Sequence, residues 1–436
     1  MNPVSDNIGP SSDAKARALF RSASCLAAAW SVLALAIHLW PFEGGRTLET
    51  LAPANVGIIL WVVIAGTAAL FSSRTRPLIT NNLPDVSVWC LLAIAAASVA
   101  FSPHVWQSAS SLAKLALMYV GAMTLFGVAC GRDGWADRLC TMALAAACIA
   151  MIASAASWVF GHEGWGFFES PYKYATATTI LFIVGIVHLA SGQSQWAWLA
   201  TPATALAAVT TITLGGLCGI AAGLLAGIVV LGHRRARLRL ATCLLTLATI
   251  LVIFWPASVF SPLRDDARMG DSNGRDLRQR YIEWQAQLNL LEQRPVAGTG
   301  LGCVNEYRSM VYGRLPKRNT LEPFDRNGWL LTAAETGVFG LAAFVWVVVA
   351  AGRTAWRAAR AAGAQAHVAA AAFAALAAAC AAGTFSSVNY NGVINAFVLA
   401  VALAHHAARA KPSVPDTEAV ASFRTASRAE RRGWNE

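Results

Sequence analysis

Charged side chains are scarce in this chain. Only 13% of its 436 residues are Asp, Glu, Lys or Arg, whereas 56% are hydrophobic, and a soluble domain carries about 25% charged residues. The scarcity argues against a soluble protein, the hydrophobic fraction excludes intrinsic disorder, and the length excludes a small disulfide-stapled scaffold. The composition favours a helical protein that passes through a membrane several times.

Sequence motifs that bind metal ions are lacking as well. The nine cysteines form no Cys-x-x-Cys pair, and the eight histidines form no His-x-x-x-His pair. Eight cysteines lie in or beside apolar segments, where they suit packing between helices. Only Cys303 lies elsewhere, and a single cysteine cannot form an intrachain disulfide there. We therefore expect neither a metal ion nor a cofactor.

Apolar segments of membrane-spanning length are abundant. A spanning helix needs roughly 20 mostly apolar residues, and twelve segments qualify. They lie near 22–41, 53–72, 84–101, 109–130, 139–160, 175–191, 195–211, 213–232, 240–261, 328–352, 367–384 and 389–408. The predicted fold class is all-α: a polytopic helical membrane protein with about 12 transmembrane helices and one long loop before the tenth.

The positions of the basic residues predict the orientation. Twenty of the 34 Lys and Arg residues lie on one side of the twelve spans, and the short loops of the other side hold only Arg46 and Lys173. Basic residues accumulate in cytoplasmic loops, so we expect both termini in the cytoplasm. The first 20 residues are polar and lack the apolar core of a signal peptide, which fits a mature cytoplasmic N-terminus.

This topology predicts five regions and isolates one unusual loop. The regions are a cytoplasmic N-terminal segment (1–21), helices one to nine (22–260), the long external loop (261–327), helices ten to twelve (328–408) and a disordered basic tail (409–436). The loop holds eleven Lys and Arg residues, although orientation does not require them. The net charge of +11 therefore indicates an anionic ligand at the membrane surface rather than nucleic acid.

Part of the long loop has the pattern of an amphipathic helix. Residues 276–293 carry an apolar stripe at helical spacing, formed by Leu277, Tyr281, Trp284, Leu288 and Leu291. Arg294-Pro295 should end the helix, which we expect to lie on the membrane surface or on a cap of other helices. Arg280 falls at the edge of the stripe and Arg278 points away, so Arg280 either serves a site along that surface or reaches the interface as an ordinary snorkelling arginine.

Polar residues follow the helix at positions where function or structure could require them. Gly298 to Gly302 reads Gly-Thr-Gly-Leu-Gly, which is typical of a tight turn and too weak for a dinucleotide-binding fingerprint. Glu335 lies roughly 13 Å along span ten from Arg326. A carboxylate at that depth marks a functional site or forms a structural hydrogen bond to a neighbouring helix. Lys173, just outside span six, is either an interfacial anchor or a ligand for a negative charge.

These residues together resemble the O-antigen ligase and polysaccharide polymerase superfamily of bacterial envelopes. Its members are polytopic and have a long external loop in the C-terminal third. There an Arg precedes a Trp, followed by a Pro and a Gly-x-Gly turn, and a His-Asn pair opens the next span, with Glu and Gly further in. The corresponding positions here are Arg280, Trp284, Pro295, Gly298–Gly302, Arg326-Asn327, Glu335 and Gly337.

The resemblance implies a GT-C-like fold in the bacterial inner membrane and a metal-independent glycosyltransferase activity. The implied donor is a glycan on undecaprenyl diphosphate, and the implied acceptor is a glycan or lipid on the periplasmic face. The implied partners also include membrane lipids, a chain-length regulator and a flippase, but no nucleic acid. On this basis we expect the protein to polymerise lipid-linked oligosaccharide repeat units into surface polysaccharide.

The resemblance and the chemistry of the residues together suggest roles. Arginine presents a planar, permanently charged fork that suits phosphate oxygens. We expect Arg280 and Arg326 to bind the diphosphate, with Arg275 and Lys173 in support. Arg326, Glu335 and Asp325 are the expected catalytic residues, and either carboxylate could act as the base for the acceptor hydroxyl. No metal ligand is expected among them.

Two positions differ from the family pattern. Arg326 stands where the family has the His that is thought to activate the acceptor hydroxyl. The family also has a Ser-Arg pair after a Thr in a middle span, whereas this chain reads Thr213-Leu214-Gly215-Gly216. Both differences favour a polymerase over an O-antigen ligase, which remains the alternative. A polytopic transporter or flippase is a further alternative, although no internal repeat supports it.

Overall fold

The structure is a computed structural model that describes residues 12–37, 53–73, 75–159, 171–192, 195–211, 213–254, 272–307, 327–361, 363, 365–386 and 393–409. Within these ranges all regular secondary structure is helical, and no strand is found. The all-α class predicted from the sequence is therefore confirmed for the described part of the chain.

Fourteen α-helices account for most of the described residues. They are α1 Ser12–Ile37, α2 Pro53–Phe71, α3 Arg76–Thr80, α4 Val86–Ala100, α5 Val105–Cys130, α6 Trp135–Val159, α7 Pro171–Ser191, α8 Ala200–Thr210, α9 Leu214–Val230, α10 Arg234–Phe254, α11 Ser272–Gln293, α12 Gly328–Arg360, α13 Ala366–Gly383 and α14 Val393–Arg409. One π-helical stretch, Leu117–Ala122, interrupts α5.

Each of the twelve predicted spans coincides with one of these helices. The two helices without a predicted span are the short α3 and α11, which lies in the long loop. By length and composition, six helices in the described ranges can cross a membrane, and four shorter ones are also apolar. These findings agree with a membrane protein, and the count of twelve crossings stays a prediction.

Helix α13 lies at the centre of the bundle. It contacts α7, α9, α12 and α14, and nine of its twelve alanines are buried. Small side chains let neighbouring backbones approach closely, which favours helix association in lipid. The alanine-rich sequence of α13 is thus explained by packing.

Four glycines allow α9 to pack closely against its neighbours. Gly215, Gly219, Gly223 and Gly227 repeat every four residues and so share one face of the helix. A Cβ atom added to any of them would lie 2.8–2.9 Å from Phe385, Thr179, Ile183 or Leu240, respectively. Helix α9 therefore packs at backbone distance against α7, α10 and the end of α13.

Helix α11 packs on the first turns of α12 and forms a second, smaller core. Ala286 and Leu290 of α11 contact Leu331 and Ala334 of α12, together with Val304. This contact fixes α11 and the residues around Val304 against the start of α12. It places them at the same end of the bundle as Glu335.

Candidate functional site

Helix α12 is broken at Gly337, whose φ of 72° and ψ of −176° are not helical. The residues after α11 supply the hydrogen bonds of this break. The Val338 N–H donates to the Pro295 carbonyl (2.8 Å), the Thr299 N–H donates to the Ala334 carbonyl (2.8 Å), and the Gly300 N–H donates to the Glu335 carbonyl (3.0 Å). Because unpaired backbone groups are costly at membrane depth, the loop and the break stabilise each other.

The glycines at this contact are required by the backbone. Gly298, Gly300 and Gly302 all have positive φ angles, which glycine adopts without steric cost. A Cβ atom on Gly298 would lie 2.4 Å from the Glu335 carbonyl, and one on Gly337 would lie 2.1 Å from the Val296 oxygen. The turn predicted from the sequence is therefore present, and its backbone packs directly against the break in α12.

The Gly337→Ala variant should loosen this contact. The positive φ alone costs about 1–2 kcal/mol for an L-residue, and the Val296 carbonyl must also move. The reactivity of Cys303 reports this loosening, because Cys303 is fully buried beside the turn. Burial also raises the pKa of its thiol. The higher pKa lowers the fraction of reactive thiolate. We expect maleimide to label Cys303 about tenfold faster or more in Gly337→Ala than in the wild type.

The matched control for this prediction is Gly352→Ala. Gly352 lies on the same helix, and an added Cβ atom there would meet nothing within 4 Å. Labelling of Cys303 in this variant should equal that of the wild type. Equal labelling of Gly337→Ala and Gly352→Ala would contradict the proposed coupling between the turn and the break.

The other side of the turn contacts the start of α5. An added Cβ atom on Gly300 would lie 2.2 Å from the Ser102 hydroxyl, and one on Gly302 would lie 2.2 Å from the Ser111 hydroxyl. The Gln107 amide donates to the Gly302 carbonyl at 3.0 Å. The turn is thus held between α5 and α12, with polar side chains around it.

Glu335 is the acidic residue of this contact. Its side chain is half-buried, and it takes a hydrogen bond from the Gly302 backbone N–H. The structural hydrogen bond considered from the sequence is therefore present, although its partner is the loop backbone and not another helix. An ionised carboxylate has about four acceptor sites, so Glu335 keeps capacity for a further partner.

The N-terminus of α12 has no free donor for an anion. The Asn327 side-chain oxygen accepts from the Trp329 and Leu330 N–H groups at 3.0 Å each, and the Gly328 N–H donates to the Ser386 carbonyl at 3.0 Å. A phosphate at this end would therefore have to be bound by side chains and not by the helix terminus. Asp325 and Arg326 directly precede this cap but lie outside the described residues.

Lys173 lies in the first turn of α7 at the same end of the bundle. Its side chain is only 8% exposed within the protein, which disagrees with an anchor at the lipid interface. Two residues along, Ala175 packs against the backbone of Gly216 at the start of α9, where an added Cβ atom would lie 3.1 Å from it. Lys173 thus lies near the place where the family has an arginine and this chain has glycines.

Helix α11 buries a face that includes polar residues. Glu283, Ala286, Gln287 and Leu290 are buried, whereas two members of the predicted apolar stripe, Tyr281 and Leu288, are 60% and 43% exposed. These two side chains do not pack on α12, which leaves open the first of the two expected positions, on the membrane surface. In an aqueous protein the apolar face would turn inward, but next to lipid the more polar face can do so.

The backbone register of α11 places the arginines relative to that buried face. Position 280 lies about 60° around the helix axis from Glu283, between the buried face and the apolar stripe, and position 278 lies about 140° away from it. Arg275 is also on α11, nearer its start. The different roles expected for Arg280 and Arg278 stay a prediction.

Sequence reasoning missed two polar residues on the buried face. Glu283 and Gln287 are 0% and 1% exposed, and neither amide atom of Gln287 has a hydrogen-bond partner among the described residues. In the sequence, their spacing of four residues shows that both lie on one face of the helix. Such a polar pair opposite an apolar stripe usually faces water, so the sequence did not predict its burial. The buried amide of Gln287 calls for a partner.

Comparisons with known proteins bear on the region from α7 to α12. The family model described as O-antigen ligase matches residues 180–345, and no curated protein matches the chain. The matched stretch includes Arg275, Arg280, the Gly298–Gly302 turn, Arg326 and Glu335, whereas Lys173 lies outside it. The match supports the resemblance to the O-antigen ligase and polysaccharide polymerase superfamily over residues 180–345.

Proposed function

We propose that this protein transfers a glycan from undecaprenyl diphosphate to an acceptor sugar hydroxyl and thereby extends surface polysaccharide by repeat units. The observation that carries the proposal is the broken helix α12 joined to the glycine turn. The Gly300 N–H donates to the Glu335 carbonyl and the Gly302 N–H donates to the Glu335 side chain, so this contact fixes Glu335 beside the turn. The family match supports a ligase or polymerase type of function for the same region.

In this proposal, basic side chains bind the donor diphosphate. The donors at the start of α12 are already paired, so the negative charge needs arginine or lysine. Arg280 and Arg326 are the main ligands, with Arg275 and Lys173 in support. Fixed positive charges stabilise the negative charge that develops on the leaving diphosphate, which is a large term in such reactions.

The reaction needs one proton transfer. The acceptor oxygen forms a bond to the anomeric carbon, the bond from that carbon to the diphosphate oxygen breaks, and its electron pair leaves with the diphosphate. The proton of the acceptor hydroxyl passes to a carboxylate. Glu335 is our first assignment for this base, and Asp325 is the second.

Glu335→Gln tests the assignment. Glutamine keeps an acceptor oxygen for the Gly302 N–H but cannot take a proton at neutral pH, so glycan transfer should fall about 100-fold or more. Maleimide labelling of Cys303 should stay at the wild-type level, because the turn keeps its hydrogen bond. If Glu335→Gln retains full activity, Glu335 is not the base, and Asp325→Asn becomes the decisive variant.

The proposed function itself is tested with purified protein in lipid nanodiscs. The substrate is undecaprenyl-diphosphate-linked oligosaccharide, and products are separated by length. We expect a ladder of longer lipid-linked chains. Transfer of intact chains to an added lipid acceptor without a ladder would show an O-antigen ligase, which the description of the matching family favours.

The same preparation distinguishes the proposed glycan transfer from the activity of a transporter or flippase. Reconstitution with fluorescent lipid-linked oligosaccharide would then show movement between leaflets without new glycosidic bonds. In cells, loss of a polymerase should leave single repeat units on the lipid carrier at the external face. Repeat units trapped on the cytoplasmic face would contradict the proposed function.

A further inference from the structure

Three titratable side chains meet at the end of the bundle opposite Glu335. Asp137 lies in the first turn of α6, His188 in the last turn of α7 and His367 in the first turn of α13. The His367 Nε2 atom lies 2.6 Å from the Asp137 Oδ1 atom, and the His188 Nδ1 atom lies 3.9 Å from it. Ligand atoms of all three residues lie within 4.8 Å of one another.

A cavity of about 560 Å³ opens beside this cluster. It is lined by the three residues and also by the ends of α9, α10 and α12, including Arg237 and Arg360. Basic residues are dense at this end, so the sequence predicts that the cavity faces the cytoplasm. The cluster is therefore separated by the length of α12 from the candidate site for glycan transfer.

We propose that Asp137, His188 and His367 form a binding site for one divalent transition-metal ion of the zinc type. Two imidazoles and one carboxylate are ligands that such ions prefer. Ligands of a tetrahedral zinc ion lie about 3.4 Å apart, given metal–ligand bonds of about 2.0–2.2 Å. The observed separations of 2.6 and 3.9 Å fall on either side of this value, so small side-chain rotations bring the three atoms onto one ion.

The alternative is a hydrogen-bonded Asp–His pair without an ion. That pair accounts for His367 but leaves the His188 Nδ1 atom with no hydrogen-bond partner among the described residues. The two rings also lie close together, with centroids 5.2 Å apart. A shared ion gives both rings a ligand role, and the adjacent cavity leaves its remaining coordination position open to water or a cytoplasmic ligand.

The proposed ion would join three helices that are far apart in the sequence. Helices α6, α7 and α13 contribute one ligand each, and α13 is the central helix of the bundle. Motif spacing cannot reveal such a site, since no two ligands lie on the same helix. The ion would stabilise the predicted cytoplasmic end of the bundle without entering the transfer reaction at the other end.

Cobalt(II) binding to the full-length protein tests the proposal. The protein is purified without a polyhistidine tag, depleted of metal and titrated with Co²⁺, whose visible absorption reports imidazole coordination. We expect one Co²⁺ per chain, displaced by Zn²⁺. The variants His188→Ala and His367→Ala should each weaken binding by about 10–100-fold or more, and Asp137→Asn should weaken it as well.

His405→Ala is the matched control. His405 also faces a carboxylate, with its Nε2 atom 3.7 Å from the Asp85 Oδ2 atom, but this pair has no third ligand among the described residues. The control should bind Co²⁺ like the wild type. Size-exclusion profiles of these variants and of His188→Gln distinguish the loss of a metal ligand from misfolding of the chain. No cobalt binding by the wild type, or unchanged binding in the His188 and His367 variants, would overturn the proposal.

Discussion

Arg326→Ala should lower the extension of lipid-linked glycan about 100-fold or more. The start of α12 has its backbone donors paired with Asn327 and Ser386, so it cannot replace a missing cation. Loss of one preorganised group that stabilises developing negative charge costs roughly 10²–10³ in rate. The measurement is the initial rate of chain extension by purified protein at saturating donor, and Arg280→Ala should show a similar loss.

Arg278→Ala is the control for both variants. It removes the same charge from the same helix, but its position lies about 140° around α11 from the buried Glu283, whereas position 280 lies about 60° from it. We expect near wild-type activity from Arg278→Ala. If all three variants lose activity equally, the loop acts through its total charge. Full activity of Arg280→Ala or Arg326→Ala would remove that residue from the proposed site.

Lys173→Met should also abolish most glycan transfer, whereas Lys173→Arg should restore a large part of it. Lys173 is buried in the first turn of α7, near the backbone of α9, where the glycines leave no room for the arginine of the family pattern. We therefore expect Lys173 to supply the positive charge that the Gly215-Gly216 sequence cannot. A rise in the KM for the lipid-linked donor should accompany the loss.

Lys114→Met controls for the removal of a lysine from a membrane helix. Lys114 lies on α5 with an exposed side chain, so its replacement should leave the KM for the donor unchanged. The size-exclusion profile of each variant shows whether the bundle still folds. A well-folded Lys173→Met protein with normal kinetics would exclude a role in binding the diphosphate.

The helices could be predicted well from the sequence because each apolar segment must pair its own backbone groups inside a bilayer. Other signals predicted the end of α11, from Arg294-Pro295, and the turn at Gly298–Gly302, from its glycines. The break at Gly337 could not be predicted from one sequence. A glycine inside an apolar helix usually packs against a neighbour, as Gly219 and Gly223 do. Gly337 is distinguished from them by its contact with Pro295 to Gly300.

The site was predictable in part. The basic loop and Glu335 predicted a site at one end of the bundle, but the apolar stripe of α11 did not show which face packs on α12. Tyr281 and Leu288 are exposed, and Glu283 and Gln287 are buried instead. The roles of Asp325 and Arg326 stay predictions, since both residues lie outside the described ranges.

The contact between the glycine turn and α12 also bears on how such proteins diverge. Tyr307 packs against the core that includes Leu331 and Ala334, so the described residues before and after the segment 308–326 belong to one core. Doubling the length of a loop adds only about 0.6 kcal/mol to its closure entropy. Insertions and exchanges in this segment could therefore alter the preference for a sugar while Glu335 keeps its place. Chimeras that swap residues 308–324 between members of the family, and so keep Asp325 and Arg326, offer a direct route to new polymers.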